Sequence, residues 1–128
     1  MIIRNQNPKG GTELQFNYLE EYVDKKLLDQ VQITTSVPEK IPLHPNKVNI
    51  LWQKNSYDQP NLAPWFQDKS NHHKYDWYVF NSHWTFEKFR MMFGLPAEKC
   101  LVIKNGVDKI QKAKPYKQGD PIRIIHQN

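Results

Sequence analysis

The chain has a single cysteine, Cys100, so no disulfide can form within it, and nothing argues for an oxidising compartment. It has no apolar run approaching the ~20 residues of a membrane span. Its first residues, MIIRNQNPKGG, lack the long apolar region of a secretory signal. Only five glycines occur, and they form neither a Walker A loop nor a GxGxxG fingerprint, which excludes the two commonest phosphate-cradling motifs. No G-x-S-x-G elbow surrounds Ser82, so a triad of Ser82, His126 and Asp108 has no support. Internal repeats are absent. These absences lead to the expectation of a soluble, cytoplasmic protein.

Aromatic residues make up 12% and hydrophobic residues 38% of the 128 positions, enough for a core and too many for a disordered chain. Cys100 opens an apolar run and reads as a core thiol. The net charge of +5 permits anionic partners: nucleotide phosphates, nucleic acid or peripheral contact with a membrane surface. The lysines are scattered rather than gathered on one periodic face, so no nucleic acid is expected.

The stretch from Tyr75 to Asp108 has the clearest pattern. An apolar run, Tyr75 to Phe80, meets the polar corner Asn81-Ser82-His83. An amphipathic helix over 84–93 follows, with Phe86, Phe89, Arg90 and Phe93 on one face and Met91 and Met92 widening it. Gly94 suits the left-handed position past a helix end and Pro96 blocks its resumption. A second apolar run, Cys100 to Ile103, ends at Asn105-Gly106. This is one βαβ unit. Upstream, Met1 to Arg4 reads as a short edge strand and 5–11 as a turn. Thr12 with Gln15 reads as a capping box. Leu14, Tyr18, Leu19, Tyr22, Val23 and Leu27 recur as the apolar face of a helix over 13–28. Strands are expected at 31–35 and 47–53, and one or two helical turns within 61–68. Residues 109–121 form a basic, polar linker, and Ile122 to His126 a final strand. Alternating strands and helices imply an α/β fold: a Rossmann-like, mainly parallel sheet flanked by helices.

In such sheets ligands bind beyond the C-terminal ends of the strands. Three polar corners fall there: Lys9 to Glu13, Gln53 to Asn55, and Asn81 to His83. Gly10 and Gly11 would let a ligand approach the backbone, and the helix behind them offers unpaired N–H groups. A plain glycine turn before a helix explains them equally well. His83 could face a ligand or serve the helix-capping turn. His72-His73 has no Cys, Asp or Glu at ligand spacing and reads as a solvated loop, so no metal is expected. The Trp and Phe residues are read as mostly core, with Trp65-Phe66 in a loop-rich region where they could meet an acceptor or partner.

Three motifs in order carry a family resemblance: KGGTEL at 9–14, DWYVFNSHWTFEKFRMMFGLPAEKCLVIKNGVD at 76–108, and IRIIH at 122–126. KVNILWQ at 47–53 adds a fourth. Together they resemble the N-terminal half of a GT-B-fold glycosyltransferase of the family 4 type. The resemblance implies an acceptor-side domain over 1–108, an interdomain linker over 109–121, and the first strand of a C-terminal donor-binding domain over 122–128, with the rest of that domain missing. It implies transfer from a nucleotide-sugar donor to a glycan, lipid or other acceptor in carbohydrate biosynthesis, without a metal or other cofactor and without activity in this piece alone. Gly10 and Gly11 would touch the donor across the cleft, with Thr12 and Glu13 starting the helix behind. Asn81, Ser82 and His83 would line the cleft, and Asn105 and Gly106 would shape the exit to the linker. Lys54-Asn55 stands where the family has a His-Asp pair, and Lys54 there would face an anion. The alternative is a non-catalytic Rossmann-like module that binds a sugar or a partner.

Overall fold

The computed structural model describes residues 1–3, 10–109 and 115–125. The expected turn at 5–9, Arg4, residues 110–114 of the linker and His126 lie outside that range. Four strands, β1 (Val31–Thr35), β2 (Val48–Gln53), β3 (Trp77–Phe80) and β4 (Cys100–Val102), form one sheet in the order β1-β2-β3-β4. Every pairing is parallel. Ile2 adds a parallel bridge to Ile33, so the chain start does extend the β1 edge. The helices are α1 (Gly11–Tyr22), α2 (Lys25–Leu28), α3 (Ala63–Gln67) and α4 (His83–Phe93). The fold is α/β with an all-parallel sheet flanked by helices, consistent with a Rossmann-like fold.

Successive strand residues point to opposite faces, and the sheet has two unequal sides. On one side Leu51, Tyr78 and Phe80 pack with Leu62 and Phe66 of the α3 region and with Phe89, Phe93 and Leu95 of the α4 region. Phe66 is the hub: its ring lies 4.9 Å from Phe89 and 5.5 Å from Phe93, centroid to centroid. The β1–β2 connection has no helix. Its loop lays Leu43 on the same cluster instead. Two non-glycine residues in this loop, Ser36 and Glu39, take positive φ values of 60° and 52°. Local bonds hold the turn there: the Glu39 amide donates to the Tyr75 hydroxyl (2.8 Å), and Trp65 Nε1 donates to the Glu39 carboxylate (2.7 Å). On the other side of the sheet, among the described residues, α1 covers Ile33, Trp52 and Val79 through Phe16 and Leu19, with Ile2 packed against the same cluster.

Several local expectations are corrected. The helix expected over 13–28 breaks at Val23, which is extended, because the Asp24 carboxylate accepts from the Lys26 amide and starts α2 afresh. Its buried residues are Glu13 and Phe16, not the predicted stripe; Leu14 and Tyr22 are 46% and 67% exposed. The expected capping box does not form: α1 begins at Gly11, its N-cap Gly10 provides no side-chain cap, and Gln15 bonds a distant backbone group instead. His72 is buried rather than solvated. Its Nε2 lies 2.7 Å from the Phe66 carbonyl, and the Tyr78 hydroxyl donates to the His72 carbonyl. Met91 and Met92 face outward. Residues 122–125 form no strand, because no sheet edge among the described residues pairs with them. Gly94 does close α4 in the left-handed conformation, at φ 69°.

Candidate functional site at the C-terminal edge of the sheet

β2 ends in a buried glutamine. Gln53 Nε2 donates to the Ser36 carbonyl (3.1 Å), and its Oε1 accepts from the Asn55 amide (3.1 Å), which fixes the turn carrying Lys54. Lys54 folds back so that its ammonium lies 3.4 Å from the centroid of the Trp52 ring. It also donates to Asn105 Oδ1 at 2.9 Å. No carboxylate pairs with it among the described residues. Burial pushes the ammonium down from its usual 10.5 to about 8, while the indole face favours the charged form. One half-buried cation therefore stands at the strand ends without a counter-charge.

After β4 the chain crosses towards α1 and is clasped there. Gln15 Nε2 donates to the Gly106 carbonyl (2.9 Å), and the Gly106 amide donates back to Gln15 Oε1 (3.3 Å). Further along, the Tyr22 hydroxyl donates to Asp108 Oδ1 (3.1 Å), which raises the tyrosine pKa. Lys54, Asn105, Gly106 and the first turns of α1 are thus joined through side chains far apart in sequence. Between α1 and segment 103–109 lies a cavity of about 490 Å³, lined mainly by Tyr18, Leu19, Tyr22, Trp52, Ile103 and Val107. It shares Leu19, Trp52 and Ile103 with an apolar recess of about 130 Å³ against Ile33, Ile50 and Val79. This groove is the part of the sheet that α1 leaves uncovered. Trp52 Nε1 is buried beside it with no hydrogen-bond partner among the described residues, a defect typically worth about 1–3 kcal/mol.

The remaining predicted residues fall as follows. Gly10 is the N-cap of α1, with no side chain to satisfy the amides that follow. A Cβ at Gly11 would meet nothing within 4 Å among the described residues. Thr12 is half-buried in the first turn and Glu13 is 4% exposed, its carboxylate at the positive end of the helix. Ser82 caps α4: its hydroxyl accepts from the Thr85 amide (3.1 Å) and also bonds the Thr85 hydroxyl. His83 is the exposed first residue of α4 and Asn81 is half-buried at the end of β3. The same topological edge carries both this corner and the Lys54–Asn105 contact, but no hydrogen bond among the described residues joins the two.

Sequence reasoning placed Gln53 in a polar corner but not as the buried anchor of its turn, and it missed Gln15 and Trp52 as residues that organise this edge. A buried glutamine at a strand end has no local signature, and Gln15 was absorbed by the capping pattern. Among the described residues no group of three or more His, Cys, Asp or Glu side chains could hold a metal, and no helix is long and apolar enough to cross a membrane. No protein family, curated protein or solved structure matches the chain.

Proposed function

We propose that this chain is the acceptor-side part of a nucleotide-sugar-dependent glycosyltransferase of GT-B architecture, with residues 109–121 as the link to a donor-binding half. The observation that carries this reading is Lys54: a half-buried cation with no carboxylate partner among the described residues, held by Trp52 and Asn105 at the C-terminal edge of a parallel sheet. One of its N–H groups serves Asn105, and the rest are free to meet the diphosphate of a donor. The Gly11 and Thr12 amides at the start of α1, which receive no side-chain cap from Gly10, supply further donors aimed at negative charge. In such a transfer the departing phosphate is stabilised by amide dipoles and a basic side chain. Ser82 is engaged in its cap, leaving His83 and Asn81 as the groups of that corner open to an acceptor. On this reading the chain binds an acceptor saccharide or lipid-linked saccharide, and transfer requires the donor-binding half.

Calorimetric titration with a panel of saccharides and nucleotide-sugars tests it. Saccharide binding with weak or no nucleotide binding is expected, and Lys54→Met should abolish any residual nucleotide affinity. Tight nucleotide binding that survives Lys54→Met, with no saccharide binding, would sink the reading. The half-covered groove beside α1 supports the second reading, a non-catalytic module whose partner fills that groove. Saccharide binding without any transfer, even when a donor-binding half is supplied, would favour it.

A further inference from the structure

Helix α4 has two apolar faces, and only one is used. Phe89 and Phe93 are buried in the core and Phe86 packs against it. On the opposite side Trp84, Met91 and Met92 are 59%, 73% and 58% exposed. At 3.6 residues per turn Trp84, Lys88 and Met91 lie within about 60° of one another, and Met92 flanks them. The stripe runs about 12 Å along the helix at 1.5 Å per residue. A solvent-side stripe of Trp and two Met, on a helix already seated by its other face, is the kind of exposed apolar surface that marks an interaction site.

The surrounding charge selects it. Lys88 lies within the stripe, its ammonium 5.7 Å from the Trp84 ring and 6.0 Å from Tyr57. Lys69 reaches the far end of the helix, next to Gly94. Neither lysine has a carboxylate partner among the described residues. The acidic residue beside the stripe, Glu87, is paired with Arg90 at 3.7 Å. The nearby Asp68 carboxylate accepts from the Ser70 amide and hydroxyl. The whole chain carries +5. Tyr57 leans on Trp84 with ring centroids 6.4 Å apart, extending the aromatic surface with a ring that has a polar tip. Aromatic and thioether side chains interspersed with lysine fit the boundary between headgroups and acyl chains, where rings and methionines enter and ammonium groups remain among anionic lipids.

We propose that the outer face of α4, through Trp84, Met91 and Met92 with Lys88 among them and Lys69 beside the helix end, docks this protein on an anionic membrane surface. The inference does not depend on the glycosyltransferase reading. The contact is shallow and has few charges, so it is weak, reversible and salt-sensitive.

Co-sedimentation with vesicles tests it, using phosphatidylcholine alone and phosphatidylcholine with about one-third phosphatidylglycerol, the anionic component supplying the attractive surface potential. Binding is expected only to the anionic vesicles, falling several-fold as salt is raised, with a blue shift of tryptophan emission that Trp84→Phe removes. The Met91→Ser/Met92→Ser double variant should lose most of the binding while keeping its circular dichroism spectrum, because both side chains are exposed. Lys88→Gln should weaken binding to a smaller degree. Absence of binding to anionic vesicles overturns the proposal, as does equal binding to neutral ones. A concentration-dependent dimer in sedimentation that the double serine variant dissolves would also overturn it, by showing that a second copy covers the stripe.

Discussion

Replacing Lys54 by methionine keeps the aliphatic stem on Trp52 and removes the charge, which isolates what burial of the ammonium costs. In the folded chain the lysine is depressed from 10.5 to about 8. A depressed lysine binds its proton less tightly folded than unfolded. Below about pH 8 both states are protonated and the folded state carries the full penalty. As pH rises from about 8 towards 10.5 the folded chain loses its proton first, so stability should increase across that window. At about 1.36 kcal/mol per tenfold change in proton affinity, complete desolvation over this interval would come to roughly 3 kcal/mol. Solvent still reaches the partly exposed ammonium and screens it, and the indole and Asn105 oppose the penalty. The expected gain is therefore of the order of 1 kcal/mol. Urea denaturation of the natural chain and of Lys54→Met at pH 7, 8, 9 and 9.5 reads the effect as a difference. That difference cancels the contributions of other groups titrating there, such as the Met1 amine, lowered by burial, and the tyrosines. Lys54→Met should equal or exceed the natural chain in stability at pH 7, and its advantage should shrink by about 1 kcal/mol towards pH 9.5. A constant difference across the series would refute the claim that the ammonium is held in a desolvated position. A natural chain much more stable than the variant at pH 7 would mean that the contacts to Trp52 and Asn105 outweigh burial.

Two further outcomes follow from the core. Phe66 is fully buried at the centre of the larger cluster, so Phe66→Ala should lower stability by about 3–5 kcal/mol, measured by the same denaturation, and a loss below about 1 kcal/mol would show that α3 does not pack as described. Cys100 is pushed up to about 12 by burial and its thiol donates to the Pro96 carbonyl (3.3 Å); it should react with a thiol reagent at pH 8 far more slowly than free cysteine and at the free rate in denaturant.

Sequence and structure agree for two of the strands and for both ends of α4. Val31–Thr35 and Val48–Gln53 are strands because short β-branched and apolar runs bounded by turn residues satisfy both faces of a buried parallel strand. Ser82 and Gly94 bound α4 as their side-chain chemistry dictates: a hydroxyl that caps an amide, and a residue without Cβ at positive φ. The failures are equally instructive. α1 shows a regular apolar spacing but has little sheet beneath it, so of its apolar residues Phe16 is the buried one and Tyr18, Leu19 and Tyr22 become a groove wall. His72 looks like a loop residue and is instead locked between Phe66 and Tyr78.

The sequence by itself determined the order of elements, the α/β class, the ends of α4 and the corners facing the C-terminal edge of the sheet, because periodicity, capping and turn chemistry act over a few residues. Only the tertiary structure decided which of those corners meet. Lys54 finds Asn105 across 51 positions and Gln15 finds Gly106 across 91, pairings that depend on strand order and on the path of the chain after β4. It also decided which apolar residues remain outside. Trp84, Met91 and Met92 look like core by composition, but α4 can turn only one face to the sheet, and Phe86, Phe89 and Phe93 occupy it.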